Sequence, residues 1–367
     1  MTITNDPYQD IRPYNDDEVP AAIERLLSDD ECIQAIIHYR CPKIPNLLLK
    51  ILSPLLRLKL KRSLSKILTV KDVQLNVYKY LSSILDKTTE SVTFSGLDKL
   101  DSNSAYLFVS NHRDIAMDPA IVNWVLKENH HNTLRIAIGD NLLTKPGVSE
   151  LMRLNKSFIV KRSTKAPREM MKVLSQLSSY ISHSIETKNS IWIAQKEGRA
   201  KDGNDQTDPA ILKMFHVEGR KRKISFSEFM TSLNIVPVSI SYENDPCDLA
   251  KARELHQIAT TGDYQKSEFE DIDSIILGIT GDKGRVHVNF GDVITQTYDT
   301  PAELASEIDR QIISNYKLFP INHLAANDGS QEITADVRKK FNEKLTCLTV
   351  GEQAMLKQMY ANPVINQ

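Results

Sequence analysis

Tyr106-Leu107-Phe108-Val109-Ser110-Asn111-His112-Arg113-Asp114-Ile115-Ala116-Met117-Asp118-Pro119 sets the terms for the whole chain. A four-residue apolar run bounded by a polar stretch reads as a short buried strand. Asp118-Pro119 reads as a helix start, with Asp at the N-cap and Pro at the first helical position. Strand, loop and helix in that order form the repeating unit of a parallel sheet. The loop also places a histidine beside two carboxylates, Asp114 and Asp118. A histidine at a strand end with an acid to orient it is the minimal apparatus for deprotonating a hydroxyl. Alone, His112 reads more plainly as a surface loop residue, so its neighbours must decide.

Short apolar runs recur on both sides of this stretch. Candidate strands are Ser91 to Phe94, Ala105 to Val109, Leu134 to Ile138, Phe158 to Val160, Ser190 to Ala194, Ile235 to Ile240 and Arg285 to Phe290. Helical patterns lie near Pro119 to Glu128, Val148 to Leu154 and Pro167 to Ser184, then over Pro301 to Tyr316 and Ala335 to Met359. Alternation of this kind predicts an α/β fold, a mostly parallel central sheet flanked by helices. Residues 1–90 read as a helical N-terminal segment, with a helix from about Pro20 to Tyr39 and Pro42, Pro45 and Pro54 punctuating a Leu-rich region. The expected domains are 1–90, 91–320 and a helical C-terminal tail over 321–367.

The chain has 367 residues, enough to bury a substantial core, and a formal net charge of −1. That balance gives no global attraction to nucleic acid, so no nucleic-acid partner is expected. The distribution is uneven: residues 1–31 carry nine acids and two bases, residues 41–71 eight bases and no acid. The four cysteines, Cys32, Cys41, Cys247 and Cys347, show no CxxC spacing, which suits free thiols in a reducing compartment. The acidic, polar N-terminus lacks the pattern of a signal peptide, so a cytoplasmic location is expected. Leu47 to Leu64 interleaves leucines with Lys50, Arg57, Lys59, Lys61 and Arg62, too charged to span a bilayer that needs about 20 mostly apolar residues.

Three further blocks carry chemistry. In Asn155-Lys156-Ser157-Phe158-Ile159-Val160-Lys161-Arg162-Ser163 an apolar strand ends in adjacent cations, and Arg162 offers a planar fork of donors to a phosphate. Ile191-Trp192-Ile193-Ala194-Gln195-Lys196-Glu197-Gly198-Arg199 ends in charge around a glycine that lets backbone approach a ligand. Ile235-Val236-Pro237-Val238-Ser239-Ile240-Ser241-Tyr242-Glu243 is apolar around a proline, which suits an edge or a strand beginning. Each has a bland reading as a solvated strand end or a plain buried strand. Jointly they put charge where ligands bind in open α/β sheets, outside the carboxyl ends of the strands. A Walker loop, a GxGxxG and a Gly-x-Ser-x-Gly elbow are missing, and His130-His131 and His287 lack metal-ligand companions in local spacing, so no metal is expected.

In order and spacing the four blocks resemble the glycerolipid acyltransferase superfamily, the glycerol-3-phosphate and 1-acylglycerol-3-phosphate acyltransferases. Asn111-His112, Phe158 to Arg162, Glu197 to Arg199 and Val236-Pro237 carry the likeness, over about residues 90–295. The family's acid stands five positions after the histidine, where this chain has Met117. The nearest acids are Asp118, one residue further, and Asp114. The resemblance implies that His112 is the general base and Asp118, or else Asp114, its partner. Asn111, Lys161, Arg162, Glu197, Gly198 and Arg199 would serve the acceptor, and Pro237 would line the acyl site. The implied co-substrate is acyl-CoA or acyl carrier protein, with no other cofactor. The implied acceptor is 1-acylglycerol 3-phosphate or, alternatively, glycerol 3-phosphate. Leu47 to Leu64 would then lie on an anionic membrane surface, peripheral on its inner face; its bland alternative is a core-packing helix pair. Should the shifted acid have disabled the base, the chain would be a non-catalytic membrane-binding homologue.

Overall fold

The computed structural model describes residues 6–41, 44–143, 145–163, 166–267, 269–330 and 332–367, which leaves Pro42 outside the described residues. In chain order the elements are α1 (Val19–Ser28), α2 (Asp30–Arg40), α3 (Asn46–Leu64), α4 (Val70–Thr88), β1 (Ser91–Ser95), β2 (Leu107–Ser110) and α5 (Met117–Glu128). Then come β3 (Arg135–Gly139), α6 (Pro146–Leu154), β4 (Ser157–Val160), α7 (Pro167–Glu186), β5 (Ile191–Ala194), α8 (Pro209–Lys221), α9 (Phe226–Ser232) and β6 (Ile235–Tyr242). The chain closes with α10 (Asp248–Thr261), α11 (Glu270–Thr280), β7 (Arg285–Phe290), α12 (Pro301–Ser314), α13 (Pro320–Ala326), α14 (Ala335–Thr346) and α15 (Val350–Ile365). All seven expected strands are present, and the class is α/β.

Two compact units divide the chain, Met1–Tyr80 with Leu134–Tyr180, and Leu81–Thr133 with Ile181–Gln367. In the first, β3 and β4 pair in parallel, Ile136 opposite Ser157 through Gly139 opposite Val160. Val19, Ile23, Leu27, Ile33, Ile37 and Leu154 form its helical core. The single helix expected over Pro20 to Tyr39 is two. Asp29 leaves helical geometry, and its carboxylate accepts the Cys32 N–H, so it caps α2 instead of continuing α1. By contrast α3 runs straight through Pro54. Its Leu49, Leu56, Leu60 and Leu64 pack inward, while Leu48, Ile51, Leu52, Leu55 and Leu58 stay exposed.

In the second unit five strands lie in the order β1-β7-β6-β2-β5. Every pairing among them is parallel except β6 with β7. Strands β2 and β6 are buried along their whole length, as expected of strands covered on both faces. Pro237 therefore corrects its reading as an edge or strand-start residue, because it stands inside β6 with β2 on one side and β7 on the other. The missing N–H forfeits one bond at the end of the β6–β7 ladder, where the register sets Pro237 opposite Gly291. The Pro237 carbonyl accepts from Gly291, so that side of the residue faces chain where β7 has already ended at Phe290. The helix expected over Ala335 to Met359 is α14 and α15, separated where Thr349 and Glu352 make a capping box. Helices α13, α14 and α15 bury Phe319, Ile321, Phe341, Leu356 and Tyr360 against Ala252 of α10.

Candidate active site

Strand β2 ends in Ser110, and the next residue locks the loop to the sheet. Asn111 is fully buried, and its side chain reads β6 as a strand would: Oδ1 accepts from Ile240 N at 2.8 Å and Nδ2 donates to Ile240 O at 3.1 Å. Nδ2 also reaches Asp205 at 3.2 Å. All its polar capacity goes to placing the following residue.

That residue, His112, is 14 % exposed at the side chain, and its ring packs edge-on against Trp192 of β5 at 5.4 Å between centroids. Its Nδ1 lies 2.8 Å from Asp118 Oδ2. A carboxylate only accepts, so Nδ1 carries the proton and the Nε2 lone pair is left available as a base. Asp118 is wholly buried. Oδ2 also accepts the N–H groups of Arg113 at 2.6 Å and Asp114 at 2.9 Å, and Oδ1 accepts the Tyr242 hydroxyl at 2.7 Å. Burial, and then the Asp118 charge, push the Tyr242 phenol well above its ordinary value, so it remains a protonated donor.

Asp118 is thus not the N-cap that Asp118-Pro119 suggests. Helix α5 starts two residues earlier than that reading, at Met117 with Ala116 as N-cap. Asp114 takes over the terminus, Oδ1 accepting the N–H groups of Ala116 at 3.0 Å and Met117 at 2.8 Å. Burial, with the nearby Asp118 charge, raises the Asp114 carboxyl. The two acids have separate work, Asp114 ordering the turn and Asp118 meeting the imidazole.

The loop after β5 is stitched beneath the same turn. Ala200 N donates to the His112 carbonyl at 2.8 Å, and Arg113 donates to the Ala200 carbonyl at 2.9 Å and to Asp205 at 2.7 Å. Burial opposes the Arg113 charge, but Asp205, Tyr316, Asp245 and Asp118 together outweigh it, so the guanidinium sits above its ordinary value. Lys251 of α10, buried, donates to the Arg113 carbonyl at 2.7 Å and pairs with Asp245. Glu197 and Gly198 are exposed, and Gly198 takes φ 76°, the left-handed region open to glycine. Arg199 donates through Nη2 to Ser274 of α11 at 3.4 Å, while its Nη1 is buried with no partner among the described residues.

His112, Asp118, Asn111, Glu197, Gly198 and Arg199 therefore all belong to the second unit, around the carboxyl ends of β2 and β5. Pro237 is buried in β6, and strand alternation turns it to the face opposite Tyr242, away from His112. Lys161 and Arg162 belong to the first unit. There Lys161 pairs with Asp10, and the backbone N–H of Arg162 meets Asp140 at 3.1 Å. His287 bridges Thr93 and Ser95 across β1 and β7 at 2.8 and 2.9 Å, a structural use. Among the described residues, no group of three or more His, Cys, Asp or Glu could hold a metal, and all four cysteines are free thiols.

Sequence reasoning missed Tyr242, Arg113, Asp205 and Lys251. A signal existed for Tyr242, since Val238, Ile240 and Tyr242 alternate along a strand whose neighbour bears the histidine. None existed for Asp205 or Lys251, which meet the site only through the fold.

Residues 91–241 match the protein-family model described as Acyltransferase. No curated protein matches the sequence. Among solved structures, the chain is similar to the 1-acyl-sn-glycerophosphate (LPA) acyltransferase PlsC from Thermotoga maritima, at 13 % identity and a TM-score of 0.36, over 80 % of this chain and 94 % of that one.

Proposed function

We propose that this chain, which carries an Acyltransferase-family domain over residues 91–241, moves an acyl group from a thioester donor, acyl-CoA or acyl carrier protein, to the hydroxyl of 1-acylglycerol 3-phosphate. The observation that carries the reading is the 2.8 Å contact of His112 Nδ1 with a buried carboxylate that accepts three further donors. Nε2 takes the acceptor's hydroxyl proton as the oxygen attacks the thioester carbonyl. The tetrahedral intermediate then expels the thiolate, which receives that proton from the imidazolium. Asp118 stays ionised and offsets the imidazolium charge, as in hydrolase triads, but no enzyme nucleophile is acylated. Arg199, with a buried nitrogen unengaged, is the cation in this unit suited to the acceptor phosphate, with Glu197 and Gly198 shaping that end of the site.

Thiol release from acyl-CoA, measured with 1-acylglycerol 3-phosphate and with glycerol 3-phosphate, tests the reading. The first acceptor is expected to turn over, and His112→Ala to lower the rate by about two to four orders of magnitude. Turnover only with glycerol 3-phosphate would replace the acceptor. Turnover with neither would leave a non-catalytic homologue, and turnover unaffected by His112→Ala would remove His112 as the base.

The outer leucines and lysines of α3 support a second part of the proposal, that this helix lies on an anionic membrane surface with the cytoplasmic, inner face as its side. No helix among the described residues is long and apolar enough to cross a membrane. Each surface cation adds about 1 kcal/mol of attraction to anionic lipid. Replacing Arg57, Lys59, Lys61 and Arg62 by Gln should weaken partitioning onto anionic vesicles by about two orders of magnitude. Arg57 contributes least, being paired to Asp30 at 2.6 Å. Unchanged partitioning would discard the anchor.

A further inference from the structure

Helix α11 has two faces of opposite character. Its inner face is built into the site: Ser274 Oγ accepts from Arg199, and Gly278 lies so close to Asp114 that a Cβ there would stand 2.0 Å from the carboxylate. Its outer face, with the residue that precedes it, is apolar and in water: Phe269 is 53 % exposed, Ile272 42 %, Ile276 47 % and Leu277 42 %. The spacing of three, four and one residues puts these side chains on one stripe. Three acids stand in the first turn of the helix. Glu270 accepts from Tyr264, Asp271 pairs with Lys266, and Asp273 is the charged side chain left among the four apolar ones. Large aliphatic and aromatic side chains gathered on one exposed helix face mark a contact surface.

We propose that this outer face of α11 rests on a phospholipid surface, and that it brings the site to the level of the lipid phosphates. The argument is one of depth and charge together. An interfacial helix sinks its apolar face about 5–10 Å into the boundary of headgroup and acyl chain. An α-helix with side chains is about 10–12 Å across. The opposite face of α11 then lies among the headgroups, and the group bound to that face is the Arg199 guanidinium, with its unengaged buried nitrogen. A cation at that depth complements the phosphate that every phospholipid carries. This contact is additional to α3, which belongs to the other unit. It rests on the lipid-acceptor reading for its purpose, but its physical test does not.

The test uses the full chain and the triple variant Ile272→Gln/Ile276→Gln/Leu277→Gln, which keeps good helix formers at exposed positions. Flotation with neutral phosphatidylcholine vesicles should show wild-type binding and at least a tenfold weaker partition for the variant, with an unchanged melting temperature. Turnover of a short-chain, water-soluble acceptor should be the same in both proteins. Equal partition of the two, or no wild-type binding to these vesicles, would overturn the proposal. So would a wild-type dimer that the variant converts to monomer, since a second copy of the chain would then own this face. Absence of turnover with any acceptor would sink the acyltransferase reading and leave the vesicle result standing by itself.

Discussion

Asp118→Ala is expected to lower kcat for acyl transfer by about four orders of magnitude, and Asp118→Asn by only about two to three. The alanine removes the acceptor that fixes the His112 tautomer, a loss of about 10⁴ where it has been isolated in triads. The asparagine need not. Oδ2 of Asp118 faces three donors, His112 Nδ1 and the N–H groups of Arg113 and Asp114, while Oδ1 faces a hydroxyl that can reverse. An asparagine therefore sets its oxygen toward the three donors and its NH2 toward Tyr242, whose hydroxyl turns from donor to acceptor. What is lost is the negative charge that offsets the imidazolium. Adding Tyr242→Phe to Asp118→Asn strands that NH2 in a buried site and should cost a further factor of about ten. Asp114→Asn, by contrast, keeps an oxygen for Ala116 and Met117 and should fall less than tenfold. These rates come from thiol release at saturating donor. A larger loss from Asp114→Asn than from Asp118→Asn would transfer the partnership to Asp114.

The ambiguity between the two acids shows where the sequence stops being legible. Asp-Pro carries one signature for a helix cap and the same signature for an acid that happens to begin a helix. Only the turn geometry, with Asp114 supplying the cap and α5 opening at Met117, separates them. The strands were legible because most are short apolar runs, while β1 and β7 alternate polar and apolar residues, and all seven candidates became strands. The antiparallel pairing of β6 with β7 was not, because residue type along a buried strand does not record direction. Helices α10 and α11 escaped for a different reason. In α10 the buried face holds Asp248, Lys251 and Glu254, charges paired through tertiary contacts, so its apolar period is broken. In α11 the apolar stripe faces outward, and Ser274 and Gly278 face the site. Pattern rules expect the reverse.

Arg113→Leu should be the most destabilising single change in the site, by about 3–5 kcal/mol, because it breaks a buried pair and leaves the partner charged. Arg113 is 7 % exposed and Asp205 5 %. Without the guanidinium, Asp205 keeps the Asn111 amide at 3.2 Å as its remaining hydrogen-bond donor among the described residues, and the Ala200 carbonyl loses its 2.9 Å donor. Tyr316 also loses the cation stacked 5.5 Å from its ring centre. The size of the effect comes from stranding a charge more than from the worth of the bond, and that gives the prediction a second half. Arg113→Met combined with Asp205→Asn removes both charges and should recover more than half of the loss, though neither replacement restores the Ala200 contact. Denaturant midpoints of wild type, the Leu variant and the double variant measure both halves. A loss below about 1 kcal/mol for Arg113→Leu would mean that water replaces the guanidinium. The loop after β5 would then depend on the Ala200 N–H to His112 carbonyl bond to hold its register beneath the base.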